Sequence, residues 1–468
     1  MCIGKKLIRI ISVLVAVTIV GFMIPGSFVN AATEYKFDFG GGSVQPGYIG
    51  VSASTAYSKS LGYGFNTPAN MKNVSAAGSG VASDAVQFLT YGTKSTNTFN
   101  VDLPNGLYEV KVTLGNTSRA SVAAEGVFQI INMTGNNAED KFQIPITDGQ
   151  LNILVTEGKA GTAFTLSALE IKKLSDSPVT KPTIYIGGDS TVCNYYPLDT
   201  SVQAGWGQML SKFVSTDLFQ IRNMASSGQI ARGFRDDGQF EAIMKYLKPG
   251  DYFIIQLGIN DTNEKNNTTE EQFKEIMRDM VVKAKATGAT VVISTPQGRA
   301  TDFNASNVHD ASNRWYRRAS VALAKEENVQ LLDLNVLSSA YFTSIGPNAT
   351  LSLYMSGDTL HPNRQGATEL ARIVYENLKF SLNSPTPTKN INTPTVTKSP
   401  TSTPTSTVKV LQEDINGDGV VNMADVIMIA RCFNGQVTDS TRNCDLNNDG
   451  VINMSDVIKV ALKFNKTI

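Results

Sequence analysis

The chain has 468 residues, 41 Lys and Arg against 41 Asp and Glu, and a hydrophobic content of 41%. That length exceeds one ordinary domain, that hydrophobic content excludes wholesale disorder, and the balanced charge gives no basic field for nucleic acid or an anionic membrane. Four Cys are too few for a disulfide scaffold; with His309 and His361 as the only histidines, a His-rich metal site is excluded and any His-dependent catalysis falls to one of the two.

In chain order, residues 1–31 read as a secretory signal peptide. Lys5, Lys6 and Arg9 precede or open an apolar run from Ile10 to Ile24, and Val29-Asn30-Ala31 offers the small residues that a signal peptidase reads. No later stretch is long and apolar enough to span a bilayer, so a secreted, extracellular protein is expected. Residues 32–176 place short alternating runs such as Tyr108-Glu109-Val110-Lys111-Val112 between turn signals such as Pro104-Asn105-Gly106 and Asp148-Gly149. Short strands at that spacing predict an antiparallel β-sandwich. Gly40-Gly41-Gly42 precedes no helix and lacks a phosphate-loop Lys, so it reads as a turn.

Residues 180–383 follow another pattern. Apolar runs at 184–186, 220–223, 252–257, 290–294 and 330–334 predict strands; the segments near 207–214, 270–287, 307–327 and 365–382 predict helices, with a further apolar stretch from Phe240 to Leu247. Five buried strands joined by helices require right-handed crossovers, hence an α/β unit with a five-stranded parallel sheet covered on both faces. In such sheets ligands bind at the carboxyl ends of the strands.

Residues 384–408 form a Pro/Thr tract with little to bury, which predicts a semi-extended linker. Residues 409–468 contain a repeat, DINGDGVVNMAD and DLNNDGVINMSD, each followed by an apolar helix-like segment. Oxygen ligands recur at calcium-loop spacing, with a backbone carbonyl completing each set. The first set is Asp414, Asn416, Asp418, Val420, Asn422 and Asp425, and the second is Asp445, Asn447, Asp449, Val451, Asn453 and Asp456, so a small α-helical EF-hand-like module holding two structural calcium ions is expected. Cys432 and Cys444 fall inside this module, where export favours a disulfide.

The catalytic signal lies in the parallel-sheet unit. The first strand runs into Gly187-Gly188-Asp189-Ser190-Thr191, which holds a serine where a nucleophile is needed. Serine needs a base, and the base needs an orienting carboxylate. Asp358-Thr359-Leu360-His361 supplies both in one short turn, with Gly228 and the Asn260 amide available as oxyanion donors after the second and third strands. No Gly-x-Ser-x-Gly is present, so a nucleophile elbow is not supported. Of the remaining residues, His309 reads as an ordinary surface position, Cys193 as a buried small side chain or a free thiol, and Trp206 as either a core-edge residue or a sugar-stacking one.

Together, Gly188-Asp189-Ser190, Gly228, Gly258-Ile259-Asn260-Asp261 and Asp358-Thr359-Leu360-His361 resemble the four blocks of the SGNH (GDSL-type) hydrolases, and GGDSTVCNYY with AGWGQML resembles their rhamnogalacturonan acetylesterase branch. The resemblance implies a flavodoxin-like fold, Ser190 as nucleophile, His361 as general base oriented by Asp358, and an oxyanion hole from the N–H groups of Ser190 and Gly228 with Asn260. No catalytic cofactor is implied. The implied reaction removes acetyl groups from polysaccharide hydroxyls, those of pectin first. The same branch includes enzymes of acetylated xylan, and Ile259 stands where several rhamnogalacturonan esterases carry His. A noncatalytic carbohydrate-binding subunit is the alternative of another class. FDFGGG and TAYSKSLGYGF resemble a galactose-binding-like domain, which either binds sugar or braces its neighbour. The repeat resembles dockerins, with Asp in place of Glu at the last ligand position, and implies a cohesin partner on a cellulosome scaffold.

Overall fold

The computed structural model describes residues 33–89, 97–117, 119–156, 164–380, 412–415, 421, 423–433, 437–438, 441–461 and 463; the signal-peptide and linker segments lie outside them. Strands β1 (Glu34–Phe39), β2 (Ile49–Val51), β3 (Tyr63–Phe65), β4 (Met71–Ser75), β5 (Asp84–Phe88) and β6 (Phe99–Asp102) come first. They are followed by β7 (Gly106–Leu114), β8 (Arg119–Ala124), β9 (Val127–Thr134), β10 (Glu139–Ile146), β11 (Gln150–Thr156) and β12 (Phe164–Ser175). One sheet is seven-stranded, with path β10-β7-β12-β1-β2 and β5 and β4 branching from β12; the other is five-stranded, β3-β6-β11-β8-β9. The sandwich is antiparallel except that β1 pairs with β2 in parallel. Alternation along each strand sends one set of side chains inward. Phe99 of the second sheet meets Phe37 and Phe39 of the first with ring centroids 5.1 and 4.8 Å apart, edge to face.

Strands β13 (Thr183–Gly188), β14 (Gln220–Asn223), β15 (Tyr252–Gln256), β16 (Thr290–Ser294) and β17 (Gln330–Leu332) form a parallel sheet in the order β14-β13-β15-β16-β17. Its central strands β13, β15 and β16 read as nearly continuous apolar runs because both faces are covered. Ile184, Ile186, Ile254 and Val292 pack toward α1 (Trp206–Met209), while Tyr185, Phe253, Ile255, Val291 and Ile293 belong to the opposite core. Short helices α2 (Ala231–Asp236) and α3 (Gln239–Met244) follow β14. Helix α4 (Glu270–Ala286) opens on a capping box, Thr269 with Gln272, and buries Phe273, Ile276, Met277, Met280, Val281 and Ala284, which lie on one face at helical spacing. Helix α5 (Arg317–Glu326) packs beside it. On the α1 side lie α6 (Leu334–Ile345) and α8 (Arg364–Leu378), with the short α7 (Pro347–Leu351) between them in sequence.

The expected helix over 307–327 is shortened to α5. Asn307, Trp315 and Tyr316 have φ of 57°, 53° and 56°, a left-handed conformation that a right-handed helix cannot contain. The last helices, α9 (Met423–Arg431) and α10 (Met454–Ala461), bury Val426, Ile429, Val457 and Val460 with Val421 and Ile452. Cys444 sits in this core, its thiol 3.1 Å from that of Cys432; both are free, so the expected disulfide is not formed in this structure.

Candidate active site

The site is built at the carboxyl ends of β13, β14 and β15. Beyond β13, the fully buried Asp189 accepts hydrogen bonds from the N–H and hydroxyl of Thr191 at 2.9 and 2.8 Å, which fixes the turn carrying Ser190. Burial pushes the Asp189 carboxyl up to about 6. Tyr195 closes the same loop, its hydroxyl donating to the Ser190 carbonyl at 2.8 Å.

His361 Nε2 lies 3.0 Å from Ser190 Oγ, and His361 Nδ1 lies 2.6 Å from Asp358 Oδ2. The other carboxylate oxygen, Oδ1, accepts from the N–H groups of Leu360 and His361 at 2.7 and 3.1 Å. Partial burial opposes ionisation of Asp358, but the Leu360 amide and the His361 ring outweigh it and hold the carboxyl below its ordinary value. A carboxylate held charged in this way orients one imidazole nitrogen and leaves the other to take a proton from the serine.

Beyond β14, Ser226 N–H donates to the Gly188 carbonyl at 3.0 Å, tying this loop to the end of β13. Gly228 has φ of 80°, where a Cβ would be strained. Beyond β15, Asn260 Nδ2 donates to the Gln229 carbonyl at 3.0 Å, which uses one of its two N–H bonds and joins the two loops. Gly258, with φ of 122°, admits no side chain: a Cβ would lie 2.3 Å from the Trp315 carbonyl oxygen. Thus the structure brings Ser190, His361 and Asp358 into one chain of hydrogen bonds and links the Gly228 and Asn260 loops through Gln229.

Two supporting groups escaped the sequence reading. Asp261 accepts from the N–H groups of Ala231 and Gly258 at 2.9 and 3.1 Å, with burial pushing its carboxyl up to about 6. Its signal was adjacency to Asn260. Asn132, on β9 of the sandwich, donates to the Ser226 hydroxyl, and no sequence motif marks that contact. Three other readings resolve. Trp206 is fully buried and donates to Gln256 at 3.1 Å, so it presents no stacking face. His309 is 1% exposed rather than a surface residue, held by Ser339 and the Arg299 carbonyl between Phe303 and Phe342. Cys193 is a buried free thiol whose pKa burial pushes up to about 12.

In the C-terminal repeat, Asn416, Asp418, Val420 and Asn422 lie outside the described residues, while Asp414 and Asp425 are buried. The second loop is described throughout. Asp445 accepts from the N–H groups of Asp449 and Gly450, and Asp456 from those of Asn447 and Asn453. Both carboxylates are buried, and among the described residues neither forms an ion pair with a basic side chain. Such a donor set fits a hard cation. Among the described residues no three His, Cys, Asp or Glu side chains would hold a metal by themselves, so the fit depends on the amides and backbone carbonyl as well.

Family models match three segments: Beta-agarase/YXIM esterase-like, galactose-binding domain-like over 35–172, GDSL-like Lipase/Acylhydrolase family over 187–368, and Dockerin type I domain over 412–465. The Bacillus subtilis protein named Uncharacterized esterase YxiM is 72% identical over 345 residues, which are 74% of this chain and 90% of the relative. The crystal structure of the same Bacillus subtilis protein matches with a TM-score of 0.73 and 72% identity, covering 74% of this chain and 98% of that one. The Bacillus subtilis protein named Probable rhamnogalacturonan acetylesterase YesY is 32% identical over 204 residues, 42% of this chain and 92% of the relative.

Proposed function

Because the chain belongs to the GDSL-like (SGNH) acylhydrolases, as an esterase joined to a galactose-binding-like domain and a type I dockerin, we propose that it removes O-acetyl groups from a plant cell-wall polysaccharide, rhamnogalacturonan first. The observation that carries this reading is the Ser190–His361–Asp358 chain, at 3.0 and 2.6 Å, standing at the ends of parallel strands. Ser190 Oγ attacks the acetyl carbonyl carbon as His361 Nε2 takes its proton. The oxyanion is held by the N–H groups of Ser190 and Gly228 and by Asn260. Collapse releases the sugar hydroxyl, which receives the proton from His361, and leaves an acetyl-serine. Water then attacks, giving its proton to His361, and acetate departs as Ser190 is restored.

No catalytic cofactor enters this scheme. The two repeat loops would each hold one calcium ion, which supplies positive charge to their buried carboxylates and orders the module; the module would then dock on a cohesin of a cellulosome scaffold outside the cell. Among the described residues no helix is long and apolar enough to cross a membrane.

Ile259, where several rhamnogalacturonan esterases carry His, favours a second reading with acetylated xylan as substrate. Acetate release from acetylated rhamnogalacturonan and acetylated xylan, side by side, separates the two. The expected result is faster release from the first and nearly none with Ser190→Ala. Preference for xylan keeps the chemistry and moves the substrate; release by the Ser190→Ala protein at the wild-type rate rejects Ser190 as nucleophile.

A further inference from the structure

Between the catalytic turn and the oxyanion loop stands a cation that the acetyl chemistry does not use. Arg299 lies in the loop beyond β16, and its backbone is pinned on three sides. Its N–H donates to Asp302 at 2.8 Å, its carbonyl accepts from His309 at 2.8 Å, and the next residue, Ala300, donates to the Thr359 carbonyl at 2.8 Å. The half-buried guanidinium reaches Thr359 Oγ1 at 3.5 Å and lies 6.0 Å from the Trp315 ring centroid. Thr359 sits inside the Asp358–His361 turn, while the Trp315 carbonyl is the atom against Gly258 that a Cβ would meet. Arg299 and Trp315 therefore span the gap between the acid–base turn and the oxyanion loop.

The carboxylate side chains there are committed to other partners. Asp302, its side chain 4% exposed, pairs with Arg314, which lies on Trp315 as well, and Asp358 is committed to His361. Among the described residues the Arg299 guanidinium forms no ion pair with a carboxylate. A guanidinium held against an indole, partly desolvated and lacking a counter-ion, is suited to take a carboxylate through its planar fork of donors. We propose that Arg299 is a specificity-determining residue that binds the carboxylate of a uronic acid in the substrate polymer, beside the sugar whose acetyl Ser190 attacks. This rests on the polysaccharide esterase reading and deepens it: the substrate is an acidic glycan, a description that rhamnogalacturonan meets and unsubstituted acetylated xylan does not.

The test uses the full chain with acetylated rhamnogalacturonan and the same polymer after methyl esterification of its carboxyl groups. The readout is the ratio of kcat/KM on the acidic polymer to that on the esterified one. Wild type is expected to favour the acidic form, Arg299→Gln to lower the ratio about tenfold or more through KM, and Arg299→Lys to keep part of it, since one charge-assisted hydrogen bond is of that size. An equal ratio in wild type and Arg299→Gln would overturn the proposal, leaving Arg299 as a support for Thr359. Calorimetric binding of deacetylated rhamnogalacturonan to Ser190→Ala, with and without Arg299→Gln, reads the same site without turnover. Binding that needs Arg299 in a protein whose wild type releases no acetate would uphold the acidic-glycan site and sink the esterase reading; binding indifferent to Arg299 would sink the site alone.

Discussion

In the proposed mechanism Asn260 bears two loads with one amide. One N–H is spent on the Gln229 carbonyl at 3.0 Å, so a single donor is left for a developing oxyanion, and its aim depends on the first bond. Asn260→Ala is expected to lower kcat about 10²–10³-fold with little change in KM, as for an oxyanion donor that acts chiefly in the transition state. Asn260→Asp preserves shape but puts an acceptor where charge develops, and should be at least as severe. Steady-state hydrolysis of 4-nitrophenyl acetate measures both; unchanged kcat in either would remove Asn260 from the hole. Asp261, adjacent in sequence, fixes the backbone of this loop by joining the start of α2 to Gly258.

At the scale of elements, the central strands β13, β15 and β16 were legible because strands buried on both faces must be apolar, and Asp358 and His361 because a three-residue spacing lets one turn hold both. Left-handed Asn307 is a residue that favours that conformation, but the break at Trp315 and Tyr316 was not legible, since neither is the Gly or Asn that announces one. What pins the segment 307–316 is His309, whose Nε2–H donates to the Arg299 carbonyl while Nδ1 accepts from Ser339, an arrangement available to the neutral ring. Burial holds the His309 pKa below 6.5 in the fold. The unfolded chain therefore binds more protons, and the stabilisation from His309 is complete above the unfolded value and lost as pH falls through it toward the folded one. Asp140, Asp189 and Asp261, each raised to about 6 by burial, act with the opposite sign, so the useful quantity is a difference between proteins. Urea midpoints should fall more steeply from pH 7 to pH 5 in wild type than in His309→Gln. Parallel pH curves would show that the ring's protonation does not reach stability.

At the scale of the molecule, the sandwich and the parallel-sheet unit share one buried seam. Arg222, on the edge strand β14 and 7% exposed, donates to Gln129 at 2.6 Å and to the Phe128 carbonyl at 3.3 Å, both on β9. Its guanidinium lies 5.6 and 5.4 Å from the ring centroids of Tyr185 and Tyr246. Lys245 donates to the Glu125 carbonyl nearby, and Tyr196, in the loop that follows Ser190, donates to Asp140 at 2.5 Å. These contacts cover what would be an open sheet edge beside the site and brace it with the sandwich. A buried cation held only by neutral acceptors and aromatic faces, its Nε without a hydrogen-bond partner, loses all of these contacts at once when truncated. Arg222→Ala should therefore destabilise by about 2–4 kcal/mol. It should also uncouple the units, turning one calorimetric transition for residues 34–380 into two, whereas Arg222→Lys should keep a single transition at a lower Tm. A single transition at the wild-type Tm in Arg222→Ala would mean that the seam transmits no stability, and the contact of Asn132 with Ser226 would remain as a link between the sandwich and the Gly228 loop.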